Sequence, residues 1–212
     1  PRGIALALDS LGVAVRDQGE LAAAGSILEE GLARCRELDY QHAVARALVH
    51  LGELAQAQGD YALAQSRYDE SLSIERDQVR LPHHLGSLAL DRGDYATARS
   101  RFEESLRAQR LCGDTSWAHS SLADVASLAA ATGQPERALR LAAAATRLSE
   151  VSGAARQPTE RRRLERWLLA SRSALGAKAA DEAWAEGRAM TLEQAVAYAL
   201  DERAGDTQAR PA

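Results

Sequence analysis

One short phrase is written four times along this chain. It reads Leu11-Gly12, Gly19-Glu20-Leu21, Ala24, Leu28-Glu29-Glu30-Gly31-Leu32, and returns as Leu51-Gly52, Gly59-Asp60-Tyr61, Ala64, Tyr68-Asp69-Glu70-Ser71-Leu72. A third copy runs Leu85-Gly86, Gly93-Asp94-Tyr95, Ala98, Phe102-Glu103-Glu104-Ser105-Leu106, and a degenerate fourth keeps Val125-Ala126, Gly133-Gln134-Pro135, Ala138 and Ala145. Internal repetition constrains a fold more than local propensity does, because each unit must bury its apolar face on its neighbours. It also directs the search for function from chemistry towards binding.

The small residue of the first helix, Gly12, Gly52, Gly86 or Ala126, anchors each copy, at intervals of 40, 34 and 40 residues. Seven positions on stands a glycine (Gly19, Gly59, Gly93, Gly133), and twelve on an alanine (Ala24, Ala64, Ala98, Ala138). Sixteen on stands a larger residue (Leu28, Tyr68, Phe102), with Ala142 in the fourth copy, and nineteen on a small one (Gly31, Ser71, Ser105, Ala145). Small residues let two antiparallel helices approach, and the larger one fills the space left between them. The glycine ends helix A with positive φ, and Glu20, Asp60 or Asp94 stands at the positive end of helix B. Pro135 suits a first helical turn. Pro82 predicts that helix A of the third copy begins there.

Composition agrees with close helix packing. Hydrophobic residues make up 46% of the 212 but aromatics only 4%, so the core must be mostly Ala and Leu, which suits helices and not a sheet. A net charge of -4 gives no global field for nucleic acid or an anionic membrane. Cys35 and Cys112 occupy non-equivalent repeat positions and read as free thiols of a cytoplasmic protein. No apolar run is long enough to span a bilayer. The chain opens Pro1-Arg2-Gly3-Ile4 directly into a helical pattern, as an excised piece of a longer chain would.

The spacing of Leu-Gly, Ala and the larger residue resembles the tetratricopeptide repeat, a helix–turn–helix unit of about 34 residues. The resemblance covers roughly residues 4 to 150. It implies an all-α, right-handed solenoid of about four helix pairs over 1–152, at 4–37, 40–77, 79–111 and 115–151. Two departures stand out: no copy carries the family's terminal proline, and the 40-residue intervals imply longer helices. Capping helices are expected over 157–202, where Leu164, Trp167, Leu168 and Leu175 recur at helical spacing. A short helix around 179–187 follows, and Thr191-Leu192-Glu193-Gln194 reads as a capping box. The tail over 203–212 lacks apolar anchors and is expected to be disordered.

A narrower resemblance lies in Gly133-Gln134-Pro135-Glu136-Arg137-Ala138 and above all in residues 183–196, AWAEGRAMTLEQAV. These are similar to the C-terminal tetratricopeptide region of large bacterial regulators built on signal-transduction ATPases, including LuxR-family and antibiotic-regulatory activators. That resemblance implies a sensor region that restrains the ATPase or recruits an effector. The near-absence of lysine (Lys178 alone) and the abundant alanine fit a high-GC bacterial origin.

Signatures of chemistry are missing. Lys178 does not sit in a phosphate-binding loop. His83 and His84 are adjacent, hence about 100° apart on a helix, and read as two polar groove residues rather than metal ligands. His50 and His119 read as partly exposed helix residues. The acidic pairs Glu29-Glu30, Asp69-Glu70 and Glu103-Glu104 recur at equivalent positions, as a solvated repeated face does. Arg161-Arg162-Arg163 with Arg166 reads as a solvated helix face, without a DNA-reading signature beside it. No enzyme activity, cofactor or metal is expected.

In tetratricopeptide arrays the A helices line the concave groove, and residues near anchor −6, −3, −2, +1 and +4 face inward. The resemblance therefore implies Asp9 and Arg16 from copy one, Arg46, His50 and Glu53 from copy two, Arg80, His83, His84 and Ser87 from copy three, and Asp124 and Ser127 from copy four. Several arginines among mixed charges suit a peptide or an acidic helix. Without asparagine or a groove lysine, the family's carboxylate clamp for chaperone tails is absent. The expected partner is a protein, a peptide, a small effector or the regulator's own ATPase or output domain. Direct nucleic-acid contact is not expected. A free-standing scaffold or adaptor is the alternative reading.

Overall fold

The computed structural model describes residues 1–75, 80–113, 117–153 and 158–201, and between 158 and 163 the side chains of 161 and 162 only. The expected tail at 203–212 lies outside the described residues. Among those residues the chain is all-α, with eleven helices and no strand. It divides into two compact units, Pro1–Gly93 and Asp94–Ala212.

The first unit is a tetratricopeptide-like solenoid segment. It contains α1 (Arg2–Asp17), α2 (Leu21–Glu37), α3 (Gln41–Gln58), α4 (Tyr61–Ile74) and α5 (Leu81–Asp91). The pairs α1–α2 and α3–α4 pack tightly; α3 lies against both helices of the first pair, and α5 against both of the second. Pro82 stands in the first turn of α5, where its missing N–H costs nothing.

The glycine turns work as the sequence requires. Gly19 and Gly59 adopt φ of +93° and +82°, and the next backbone N–H reaches back to the helix end, Glu20 to Val15 at 3.2 Å and Asp60 to Ala55 at 2.9 Å. Between the pairs, Asp39 takes the left-handed conformation at φ 49° while the N–H of Tyr40 donates to Cys35. The Asp60 side chain accepts from the N–H of Leu63, capping α4, whereas Glu20 makes no side-chain cap.

Close approach explains the anchors. A Cβ on Gly12 would stand 2.6 Å from Cγ of Leu28, and one on Gly52 would stand 2.7 Å from Cδ1 of Tyr68. Both larger residues are fully buried. The small residue nineteen after the anchor faces backbone: Ser71 Oγ donates to the Ala45 carbonyl at 2.7 Å, and a Cβ on Gly31 would meet the Asp9 nitrogen at 3.4 Å.

The second unit contains α6 (Tyr95–Cys112), α7 (Ala118–Ala131), α8 (Pro135–Ser152), α9 (Pro158–Leu175), α10 (Ala177–Ala189) and α11 (Leu192–Ala199). Its core pair is α7–α8, with α6 against α7. Helix α9 packs across α7 and α8, α10 lies along α8, and α11 touches both helices of the pair. Gly187 permits the α8–α10 contact, because a Cβ there would strike the Arg140 main chain, 2.7 Å from its carbonyl carbon. The Thr191–Gln194 capping box forms in both directions at the start of α11.

Candidate functional site

Helices α1, α3 and α5, the helix A of each repeat in the first unit, all carry a polar side. Along that polar side α1, α3 and α5 are joined by a ladder of charged groups. Asp9 on α1 accepts from Arg46 Nε at 3.0 Å, and its other oxygen lies 2.8 Å from His50 Nδ1, both on α3. Arg16 on α1 donates to Glu53 on α3 and to Asp17 at 3.0 Å. Glu53 in turn meets His84 Nδ1 on α5 at 3.2 Å. Further along, Gln56 donates to Ser87 at 3.2 Å and Asp91 at 2.6 Å, and accepts from the Tyr68 hydroxyl at 3.2 Å. The His84 ring stacks on Tyr68 with centroids 5.9 Å apart, and His83 packs edge-on against His84.

Repeat register produces this arrangement. Anchor −3 of copy one meets −6 and −2 of copy two; +4 of copy one meets +1 of copy two, which meets −2 of copy three. Charged residues at those offsets must therefore face one another across adjacent A helices. Burying them unpaired would be costly, so opposite signs alternate.

Burial opposes ionisation of Asp9, but the hydrogen bond and charge of His50, with those of Arg46, outweigh it and hold its pKa below the ordinary value. Burial also works against Glu53; the facing charges of His84, Arg16 and His50 and the Arg16 hydrogen bond overcome it and bring the carboxyl down to about 2. Burial pushes His84 down to about 3, against the pull of Glu53, with His83, Arg80 and His50 acting in the same direction as burial. At neutral pH His84 is thus uncharged, and Arg16 is the cation that balances Glu53.

Of the residues selected from sequence, Asp9, Arg16, Arg46, His50, Glu53, His84 and Ser87 enter this ladder. His83 is buried beside it, and Arg80 is exposed at the start of α5. Asp124 and Ser127 lie on α7 of the second unit and are buried, Ser127 Oγ donating to the Ala123 carbonyl. His119 is buried also, not partly exposed as expected, because the start of α7 sits inside the core of its unit. Gln56, beyond the residues selected from sequence, joins the ladder from the same +4 offset as Arg16. Asp17 and Asp91 share offset +5, one step beyond the rule, and that shared acid was the available signal.

The recurring acids of the B helices point the other way. Glu29 receives Arg67 at 2.7 Å and Glu70 receives Arg36 at 2.5 Å, a surface ladder between α2 and α4. In the second unit Arg161 and Arg162 are exposed, and Arg166 lies over the Trp167 ring, while the Arg163 side chain lies outside those described. Among the described residues no group of three or more His, Cys, Asp or Glu is placed to hold a metal ion. No described helix is long and apolar enough to cross a membrane.

Stacked helix pairs of this kind define a helical-repeat protein, in which each pair packs on its neighbours. The tetratricopeptide repeat family model matches residues 3–77, which hold α1 to α4. Over that stretch the chain carries tetratricopeptide repeats, which form a protein-interaction module. No curated protein matches the chain.

Proposed function

We propose that the A-helix face of the first unit binds an acidic peptide or helix of a protein partner, and that the chain is the sensor and interaction region of a larger bacterial regulator. The observation that carries the binding reading is the ladder itself. Its carboxylates are occupied internally, Asp9 by Arg46 and His50 and Glu53 by Arg16 and His84. Arg46 bonds Asp9 through Nε and its side chain is 42% exposed, so its two Nη groups remain to meet a partner. The charge offered outward on these rungs is therefore positive, and its donors are held in fixed directions, which lowers the ordering cost of binding. The resemblance of residues 183–196 to bacterial signal-transduction regulators supports the second half of the reading, in which the bound peptide, or the regulator's own output domain, sets the activity of the remainder.

Peptides of equal length and varied charge, titrated by fluorescence anisotropy, test the face. Acidic peptides should bind, more weakly at high salt, and Arg46→Gln should cost about tenfold in affinity through the lost charge-assisted bond. Equal binding of basic peptides, or an Arg46→Gln variant that binds as well as the parent, would remove this reading. Gln is preferred to Glu because a second carboxylate beside buried Asp9 would disturb the fold itself. An immunoblot of source-cell lysate tests the larger-regulator half. A band far above 22.8 kDa supports it, and one near that mass makes the chain a free-standing adaptor.

A further inference from the structure

One helix of the first unit repeats the apolar pattern of its equivalents without their burial. At anchor −8, −5, −4, −1 and +2, α3 carries Val44, Ala47, Leu48, Leu51 and Leu54, all buried in one cluster with Leu28, Leu32 and Cys35 of α2. The same offsets of α1 carry Ile4, Ala7, Leu8, Leu11 and Ala14. Here Ile4 is 64% and Leu11 51% exposed, against 3% for Val44 and 5% for Leu51. Ala7 and Ala14 are exposed as well. In α5 the offsets −5, −1 and +2 are Leu81, Leu85 and Leu88, buried in the cluster that holds Ala64 and Tyr68 of α4.

What covers this stripe in α3 and α5 is in each case the second helix of the preceding pair, α2 and α4. A terminal repeat that faces water needs a polar outer side, and α1 does not have one. We infer that the stripe Ile4, Ala7, Leu8, Leu11 and Ala14 is a stacking face for the second helix of a further helix pair in the same polypeptide, set ahead of α1. The occupant is an amphipathic helix whose apolar residues repeat the outward pattern of α2. Where it crosses α1 a residue as small as alanine fits, since a Cβ on Gly25 of α2 would stand 3.4 Å from Cδ2 of Leu54, an ordinary contact. The inference rests on the reading of the chain as part of a larger regulator, and adds that its repeat array continues through α1 without a break.

The test compares the native polypeptide from source cells with the 212-residue chain, by intact mass and by hydrogen exchange of the α1 amides. Slower exchange of α1 in a longer native protein, by about tenfold or more, supports the inference. Leu11→Glu should then lower the native protein's melting temperature and release that protection, yet leave the melting of the 212-residue chain unchanged, since Leu11 is exposed there. A longer native protein whose α1 exchanges as fast as in the short chain overturns this inference alone. A native mass near 22.8 kDa overturns it together with the larger-regulator reading. If light scattering shows the short chain as a dimer that Leu11→Glu dissociates, a second copy is the occupant, and the upstream helix is refuted.

Discussion

Gly52→Ala is the smallest change that interrogates the assigned register. The added methyl would stand 2.7 Å from Cδ1 and 2.9 Å from Cζ of Tyr68, about 1 Å inside ordinary carbon contact. Tyr68 cannot turn aside cheaply: it is fully buried, its hydroxyl donates to Gln56, and its ring stacks on His84. Overpacking of this kind costs ~1–3 kcal/mol, offset by ~1 kcal/mol from the better helix propensity of alanine. A net loss of up to ~2 kcal/mol follows, read as a fall of up to about 8 °C in the thermal midpoint by circular dichroism. Gly25→Ala is the control, since its methyl meets only Leu54 Cδ2 at 3.4 Å; there the propensity gain should prevail and the midpoint should rise. The fourth copy indicates the rescue, for it pairs Ala126 with Ala142, both buried. In a Tyr68→Ala background Gly52→Ala should therefore stabilise, giving a coupling of ~1–3 kcal/mol between the two sites. A Gly52→Ala variant that melts above the parent would refute the packing argument for the whole repeat.

Three further outcomes are expected. Arg16→Met leaves Glu53 buried without its cation at neutral pH and should cost ~3–5 kcal/mol in urea unfolding, whereas Arg36→Gln on the outer B-helix ladder should cost less than ~1 kcal/mol. Acid should act in two stages. His84, whose pKa lies at about 3 in the fold, takes up protons in the unfolded chain first, so stability falls as pH drops from about 6.5 towards 3; Asp9 and Glu53, both lowered, add their loss only as pH falls below about 4. His84→Gln should flatten the upper stage of a midpoint-versus-pH curve and, by removing one of the charges that hold Glu53 down, make the lower one shallower. Finally, Cys112 is exposed and should react at once with a disulfide reagent. Cys35, buried and with its thiol pKa raised by burial and by Asp9, should react only on unfolding.

The repeat was legible because packing rules act on residue size at fixed offsets. Gly12 and Gly52 had to be small, Leu28 and Tyr68 large, and Gly19 and Gly59 left-handed, whatever lay around them. The candidate site was legible only as a set of positions. Offsets named the side chains on one face of each helix A but gave neither partner nor depth. Asp9 could not be distinguished from a solvated acid until Arg46 and His50 were placed beside it from the next repeat. Asp124 and His119 show the same limit in the second unit, where the core reaches further round α7 than a repeat rule anticipates. Exposure depends on what stacks against a helix, and that is set by neighbours many residues away.

The ladder also constrains how a partner can engage. A ligand that sought Glu53 would have to displace Arg16, whose side chain is 3% exposed, and expose a buried charge in doing so. One that offers a carboxylate to the Nη groups of Arg46 displaces nothing, because Nε continues to hold Asp9. The first route carries the penalty of breaking a buried pair, several kcal/mol before any gain; the second carries only desolvation of a half-exposed arginine. Internal pairing therefore does more than stabilise adjacent repeats. It occupies the carboxylates and leaves the Arg46 Nη groups outward, and under the proposed function a chain with an overall charge of -4 thereby presents a positive face to an acidic peptide.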